Sequence, residues 1–256
     1  MEVHAHTHTE RKKWTHYFWE FLMLFLAVFC GFLAEYQLEH KIEKDRAKQY
    51  VLSFYEDLVS DTVRLNEMLL YDEDKVAALS QVKACYDTFS LNPLADECMR
   101  KLILHSRANK AFGITDRTIT QLANAGGFRL MNKEDADNVL SYINKFKEYQ
   151  DFQNTVFQES QDNIRNTTNE LVDFNSARSL LQLPMPTAGT ISSNITSDMI
   201  AHGPLLFSND RFLLNKWFNQ LSVYLRITSR QHQQLADLKE KAKELITYFN
   251  NRYHLK

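Results

Sequence analysis

Glycine and proline are scarce in this chain: 6 Gly and 4 Pro in 256 residues. Sheet folds use these residues at their tight reversals, so a β-sandwich or a Rossmann-type sheet is excluded. Cysteine is also scarce, and three of them cannot staple a disulfide-dense miniprotein. Neither sign of charge dominates, with 30 Lys+Arg against 32 Asp+Glu. Without a basic field, nucleic-acid binding has no electrostatic support. Apolar and charged residues make up 44% and 24%, which excludes an intrinsically disordered chain. The motifs of nucleophilic and phosphoryl chemistry are missing too: no Gly-x-Ser-x-Gly, no Gly-x-x-x-x-Gly-Lys and no Ser-x-x-Lys. The expectation is an all-α protein that is not an enzyme and carries no cofactor.

What the chain does have is one long apolar run. Phe21 to Ala34 holds only apolar residues and Gly31. A span needs about 20 residues for roughly 30 Å of hydrocarbon. Adding Tyr17, Phe18 and Trp19 reaches that length with Glu20 as the one internal charge. Trp14, Tyr17 and Trp19 on one side and Tyr36 on the other form interfacial aromatic belts. Glu20 reads as an interfacial carboxylate near the helix N-terminus, or as a contact to another membrane helix. Cleavage after Ala34 would place bulky Phe32 at the −3 site, and Phe29 before Cys30 does not fit a lipoprotein. Gly31-Phe32 precedes no apolar run of the prepilin kind. An uncleaved single-pass anchor over residues 17–36 follows, with Cys30 inert inside it. Lys and Arg are nearly balanced across it (Arg11, Lys12 and Lys13 against Lys41, Lys44, Arg46 and Lys48). The tight first cluster favours a cytoplasmic N-terminus.

The remainder reads as helices. No Gly or Pro interrupts Leu33 to Asn92, so the membrane helix is expected to run straight on. A heptad-like seam passes through Val51, Tyr55, Leu58, Thr62, Leu65, Leu69, Asp72, Val76, Leu79 and Val82. A helix from Val51 to Phe89 would be about 58 Å long. Asn92-Pro93 turns the chain into a return helix through Cys98 and Leu102. Thr115 is the expected cap of a short helix that Gly126-Gly127 stops with a left-handed residue. Asn132 opens a helix expected to run to Pro184, and residues 184–207 form a loop. Ser208 or Asn209 then caps a last helix with Leu214, Trp217, Leu221, Leu235 and Phe249 on its apolar stripe. The spans are about 37–90, 94–110, 115–125, 132–183 and 209–253. Together they predict a short His/basic tail (1–16), the anchor, and an elongated antiparallel bundle over 37–256.

Few residues carry candidate chemistry. A di-iron bundle needs Glu-x-x-His pairs, and the chain has none; His105, His202 and His232 are isolated. His4, His6 and His8 alternate, so an extended tail would bind nickel, copper or zinc weakly and without selectivity. Cys85 and Cys98 lie symmetrically about the Ser90–Pro93 turn, where a helical hairpin brings them to one height. They are read either as a disulfide or as two buried thiols. Gly126, Gly127, Phe128 and Arg129 form either a plain C-cap or a contact turn at the bundle end. Thr228, His232 and Ser160 are candidates for a polar layer or pocket. Asn166-Thr167-Thr168 and Asn194-Ile195-Thr196 match glycosylation sequons, relevant only to a secreted eukaryotic chain.

Two stretches carry a resemblance. One is Met1-Glu2-Val3-His4, Glu20-Phe21-Leu22 and Gly31-Phe32-Leu33-Ala34-Glu35; the other is Gln121-Leu122 with Ala125-Gly126-Gly127-Phe128-Arg129-Leu130-Met131. They cover about a quarter of the chain. In them the chain resembles a family of uncharacterised bacterial single-pass membrane proteins. The resemblance implies an inner-membrane anchor and a helical periplasmic domain, and it brings no activity or cofactor. Two functions are then in play. One is a membrane-anchored scaffold that binds a protein partner or itself through helix faces; the other is an extracytoplasmic ligand sensor with a separate signalling partner.

Overall fold

The computed structural model describes residues 14–91, 96–174 and 210–255, and most of those residues are helical, with no β-strand among them. The chain divides into two compact units, Met1–Tyr50 and Val51–Lys256. Helix α1 has the bounds Trp14–Leu79. Among the described residues of the first unit no side chain is buried. Phe21, Phe25 and Phe29 stack along one side at 6.2 and 5.9 Å between ring centroids. This unit contains one helical segment long and apolar enough to cross a membrane, with none of it covered by protein. A helix apolar on every side needs an apolar surround.

In the second unit α1 contributes Val51–Leu79, followed by α2 (Val82–Leu91), α3 (Asp96–Arg107), α4 (Arg117–Asn124) and a 3-10 turn at Gly127–Arg129. Then come α5 (Lys133–Phe152), a π-turn (Gln153–Phe157), α6 (Gln158–Leu171) and α7 (Arg211–Tyr253). Helix α7 runs antiparallel to both α1 and the α5–α6 rod. Phe54 meets Phe249 while Lys75 meets Tyr224, and Thr168 meets Trp217 while Asp135 meets Tyr248. Leu58, Leu65, Val139, Leu235 and Leu245 fill the space between them, all fully buried. At one end the α2–α3 hairpin closes over Leu79, Met99, Leu102, Trp217 and Leu221.

Several expected boundaries move. The helix through residues 37–90 breaks at Ser80–Gln81 without Gly or Pro, where Gln81 N–H reaches only Ala78 O and the Ser80 hydroxyl donates to Ala77 O at 2.6 Å. That side-chain bond competes with the helical ladder. The helix expected over 132–183 contains a π-turn and ends at Leu171, because Val172 is extended (φ −104°, ψ 129°). Thr167 and Thr168 bond back to Asn163 O and Ile164 O just before that end, again diverting the ladder. Residues 175–209, with the Pro184–Pro204 loop, Ser208 and Asn209, lie outside the described residues. The cap of α7 is Asp210, which accepts from Phe212 N–H at 2.9 Å. Thr115 does not cap α4: Asp116 takes that position without a side-chain bond. Asn132 caps α5 through Asp135 N–H at 2.9 Å.

The buried face of α1 is wider than a heptad seam. Phe54, Asp57, Asp61, Met68, Tyr71 and Lys75 join it, while Tyr55, Thr62 and Val76 are only half-buried. The helix is covered from two sides, by α7 and by the α3–α5 segment. Two of its buried carboxylates explain how the second side is held. Asp57 accepts from Thr118 N–H and hydroxyl and from Arg117, capping α4 from another helix. One turn on, Asp61 accepts from Thr115 N–H and hydroxyl and from the Tyr142 hydroxyl. Burial raises the Asp61 pKa despite those donors.

Candidate functional site

The polar layer at mid-bundle lies between α1, α7 and the π-turn. Lys75 is 1% exposed, donates to Ala108 O at 2.8 Å and to the Tyr224 hydroxyl at 2.6 Å, and lies over the Phe157 and Tyr224 rings. Asp72, also 1% exposed, accepts from Gln231 at 3.3 Å through one oxygen, and its other oxygen has no hydrogen-bond partner. Desolvation pushes the Asp72 carboxyl up to about 7 and the Lys75 ammonium down to about 7, each moderated by the other's charge. Burial also raises Tyr224, and it lowers His105 on α3. This layer is enclosed, and its hydrogen bonds from Lys75 to Tyr224 and from Gln231 to Asp72 tie α1 to α7. The sequence placed Thr228 and His232 here. Thr228 is fully buried, but His232 is half-buried and Gln231 takes the inward position. Lys75 and Gln231 escaped notice because each reads as an ordinary surface residue. The available signal was the Asp72-x-x-Lys75 spacing on an otherwise apolar face.

A groove open to solvent lies between α6 with its π-turn and the first four turns of α7. It encloses about 600 Å³. Val156, Glu159, Ser160 and Asn163 recur at helical spacing along one wall. Phe212, Asn215, Lys216, Asn219, Val223 and Ile227 do so along the other, with Gln220 beside them. The π-turn sets the first wall: it turns Gln153 and Phe157 into the core and leaves Val156 43% exposed on the rim. Such turns recur at functional positions in helical proteins. Phe212 and Val223 are 75% and 55% exposed, unusual for large apolar side chains. The polar side chains of the groove, Glu159 and Lys216 included, make no hydrogen bond or ion pair among the described residues. Gln220 Oε1 is buried and has no partner. The site therefore joins apolar surface to unused hydrogen-bonding capacity. Of the sequence-chosen residues only Ser160 lines it.

The remaining sequence-chosen residues lie elsewhere. Cys85 and Cys98 are joined in a disulfide between α2 and α3, with Cα atoms 5.6 Å apart. Gly126 is left-handed at φ 63°, Gly127 is buried, Phe128 is half-buried and Arg129 is exposed at the tip of the 3-10 turn. None of these four residues lines the α6–α7 groove. His4, His6 and His8 lie outside the described residues, and no cluster of metal-ligating side chains occurs among those described. Comparison with protein-family models, curated protein sequences and solved structures finds no match for this chain.

Proposed function

We propose that the protein is a membrane-anchored scaffold whose helical domain docks a protein partner through its helix faces. The observation that carries this reading is the α6–α7 groove, where two helices leave exposed apolar side chains beside seven uncommitted polar ones. Exposed apolar patches rimmed by polar groups mark interaction sites. The uncovered apolar segment of α1 supplies the anchor in the lipid bilayer. The Cys85–Cys98 disulfide supports placement of the domain in an oxidising compartment, with the N-terminus in the cytoplasm and the domain in the periplasm of a bacterial inner membrane. A second face suits contact with another copy: Leu52, Val59, Val63 and Leu70 are exposed along α1 at steps of seven, four and seven residues.

The test is purification from native membranes in mild detergent with chemical crosslinking and mass spectrometry. A stoichiometric partner crosslinked near Lys216 supports docking, and self-crosslinks from α1 support the homo-oligomeric form. A monomer that crosslinks to nothing contradicts both. The groove's volume also lies in the range of small-molecule sites, which favours the sensing reading as the alternative. That reading predicts a thermal shift with some member of a metabolite and metal panel, and a flat panel removes it.

A further inference from the structure

We infer that the α6–α7 groove binds an extended peptide segment of about seven residues, held by its main chain. The inference rests on the docking reading and names what the partner presents. The groove is long. Its α7 wall runs from Phe212 to Ile227, fifteen residues or about 22 Å at the helical rise. A helix pairs its own main-chain groups internally and would leave the groove amides without main-chain partners, so the helix-in-groove mode is disfavoured. A single metabolite would leave much of the length uncovered.

The spacing of the polar groups matches an extended chain. Asn215 and Asn219 are one helical turn apart, about 6.0 Å along the axis. An extended peptide repeats every two residues, about 6.6 Å. Each carboxamide both donates and accepts, so each can pair with the N–H and C=O of every second peptide unit. Asn163 on the opposite wall lies at the level of Asn219 and Gln220, given the antiparallel register set by Thr168–Trp217 and Phe157–Tyr224. The same register fixes the chemistry of the peptide's ends. Val156, Val223 and Ile227 gather at one end with Glu159, and Lys216 lies toward the other end near Phe212. The segment that fits carries an aliphatic residue and a basic residue at the first end and an acidic residue at the second. A purely apolar occupant such as an acyl chain is disfavoured, because it would strand the amides of the middle turns.

The probes are fluorescein-labelled seven-residue peptides, with Leu and Lys at one end, Asp at the other and Ser or Thr between, in both chain directions. They are titrated against the full-length protein in detergent micelles by fluorescence polarisation. The expected result is saturable binding in one direction, weakened about tenfold or more by Asn215→Ala with Asn219→Ala and by Val223→Arg, at unchanged melting temperature. Backbone N-methylation at alternate residues should weaken it likewise, which recognition through peptide side chains alone would not predict. Peptide binding that ignores all three substitutions overturns the groove assignment but leaves docking at another face. The inference also fails if no peptide binds while a membrane-derived partner crosslinks elsewhere. Saturable binding of a neutral oligosaccharide or metabolite in the groove, with no peptide binding, overturns both the inference and the docking reading in favour of sensing.

Discussion

Lys75 and Asp72 form the costliest feature at the residue scale. Both are buried to 1% exposure, and desolvation moves their pKa values toward each other, to about 7. The consequence for stability has a definite sign. Between pH 4 and 7 the folded chain keeps a proton on Asp72 that the unfolded chain has released, so this residue's contribution falls as pH rises. Between pH 7 and 10 the folded chain has released a proton that the unfolded Lys75 retains, so stability rises again. The layer thus makes its smallest contribution near neutral pH. Urea unfolding at pH 5, 7 and 9 should show a dip at pH 7 that the Asp72→Asn, Lys75→Met double variant flattens. Lys75→Met alone removes the charge that offsets the desolvation of Asp72 and should cost about 3–5 kcal/mol near pH 7, where Lys75 still holds its proton in part. A single variant that costs no more than the double would contradict this description. Gly126 gives a second test at the same scale. No atom lies within 4 Å of where its Cβ would stand, so Gly126→Ala pays only for φ 63°. Thermal unfolding should register a loss of about 1–2 kcal/mol.

At the scale of elements, the sequence disclosed helices better than it disclosed their interruptions. Asn132 and the glycines at 126–127 announce themselves because a cap oxygen and a left-handed residue have few substitutes. The breaks at Ser80–Gln81 and Val172 do not, because they come from side-chain hydroxyls competing with the backbone, a contest that packing decides. The π-turn at Gln153–Phe157 has neither Gly nor Pro, and the groove wall built on it was correspondingly hidden. Ser160 was singled out for polarity on a helix. Its groove partners Asn215, Asn219 and Lys216 read as ordinary solvent-facing residues until α6 and α7 were placed side by side. Asp57 and Asp61 escaped for a related reason, since the amides they accept from lie more than 50 residues away. The α2–α3 hairpin depends on Cys85–Cys98, which closes a short loop. Replacing both cysteines by serine should lower unfolding free energy by about 3 kcal/mol, measured under non-reducing conditions. No change on either substitution or reduction would mean that the bond does not hold the hairpin.

At the scale of the whole molecule, the chain has two units with opposite solvent demands. One is a helix whose apolar window has no protein cover, and the other is a bundle whose described core excludes water. On the proposed reading the first belongs in a bilayer and the second in an oxidising compartment, where it offers the groove to a partner. The most direct measurement is protease digestion of intact and lysed spheroplasts expressing a C-terminally tagged chain, with carbonate extraction in parallel. The expected result is that the chain stays with the membrane pellet at high pH and that protease added to intact spheroplasts removes the tag. A carbonate-soluble chain would contradict the anchor, and a tag protected until lysis would place the bundle on the cytoplasmic side.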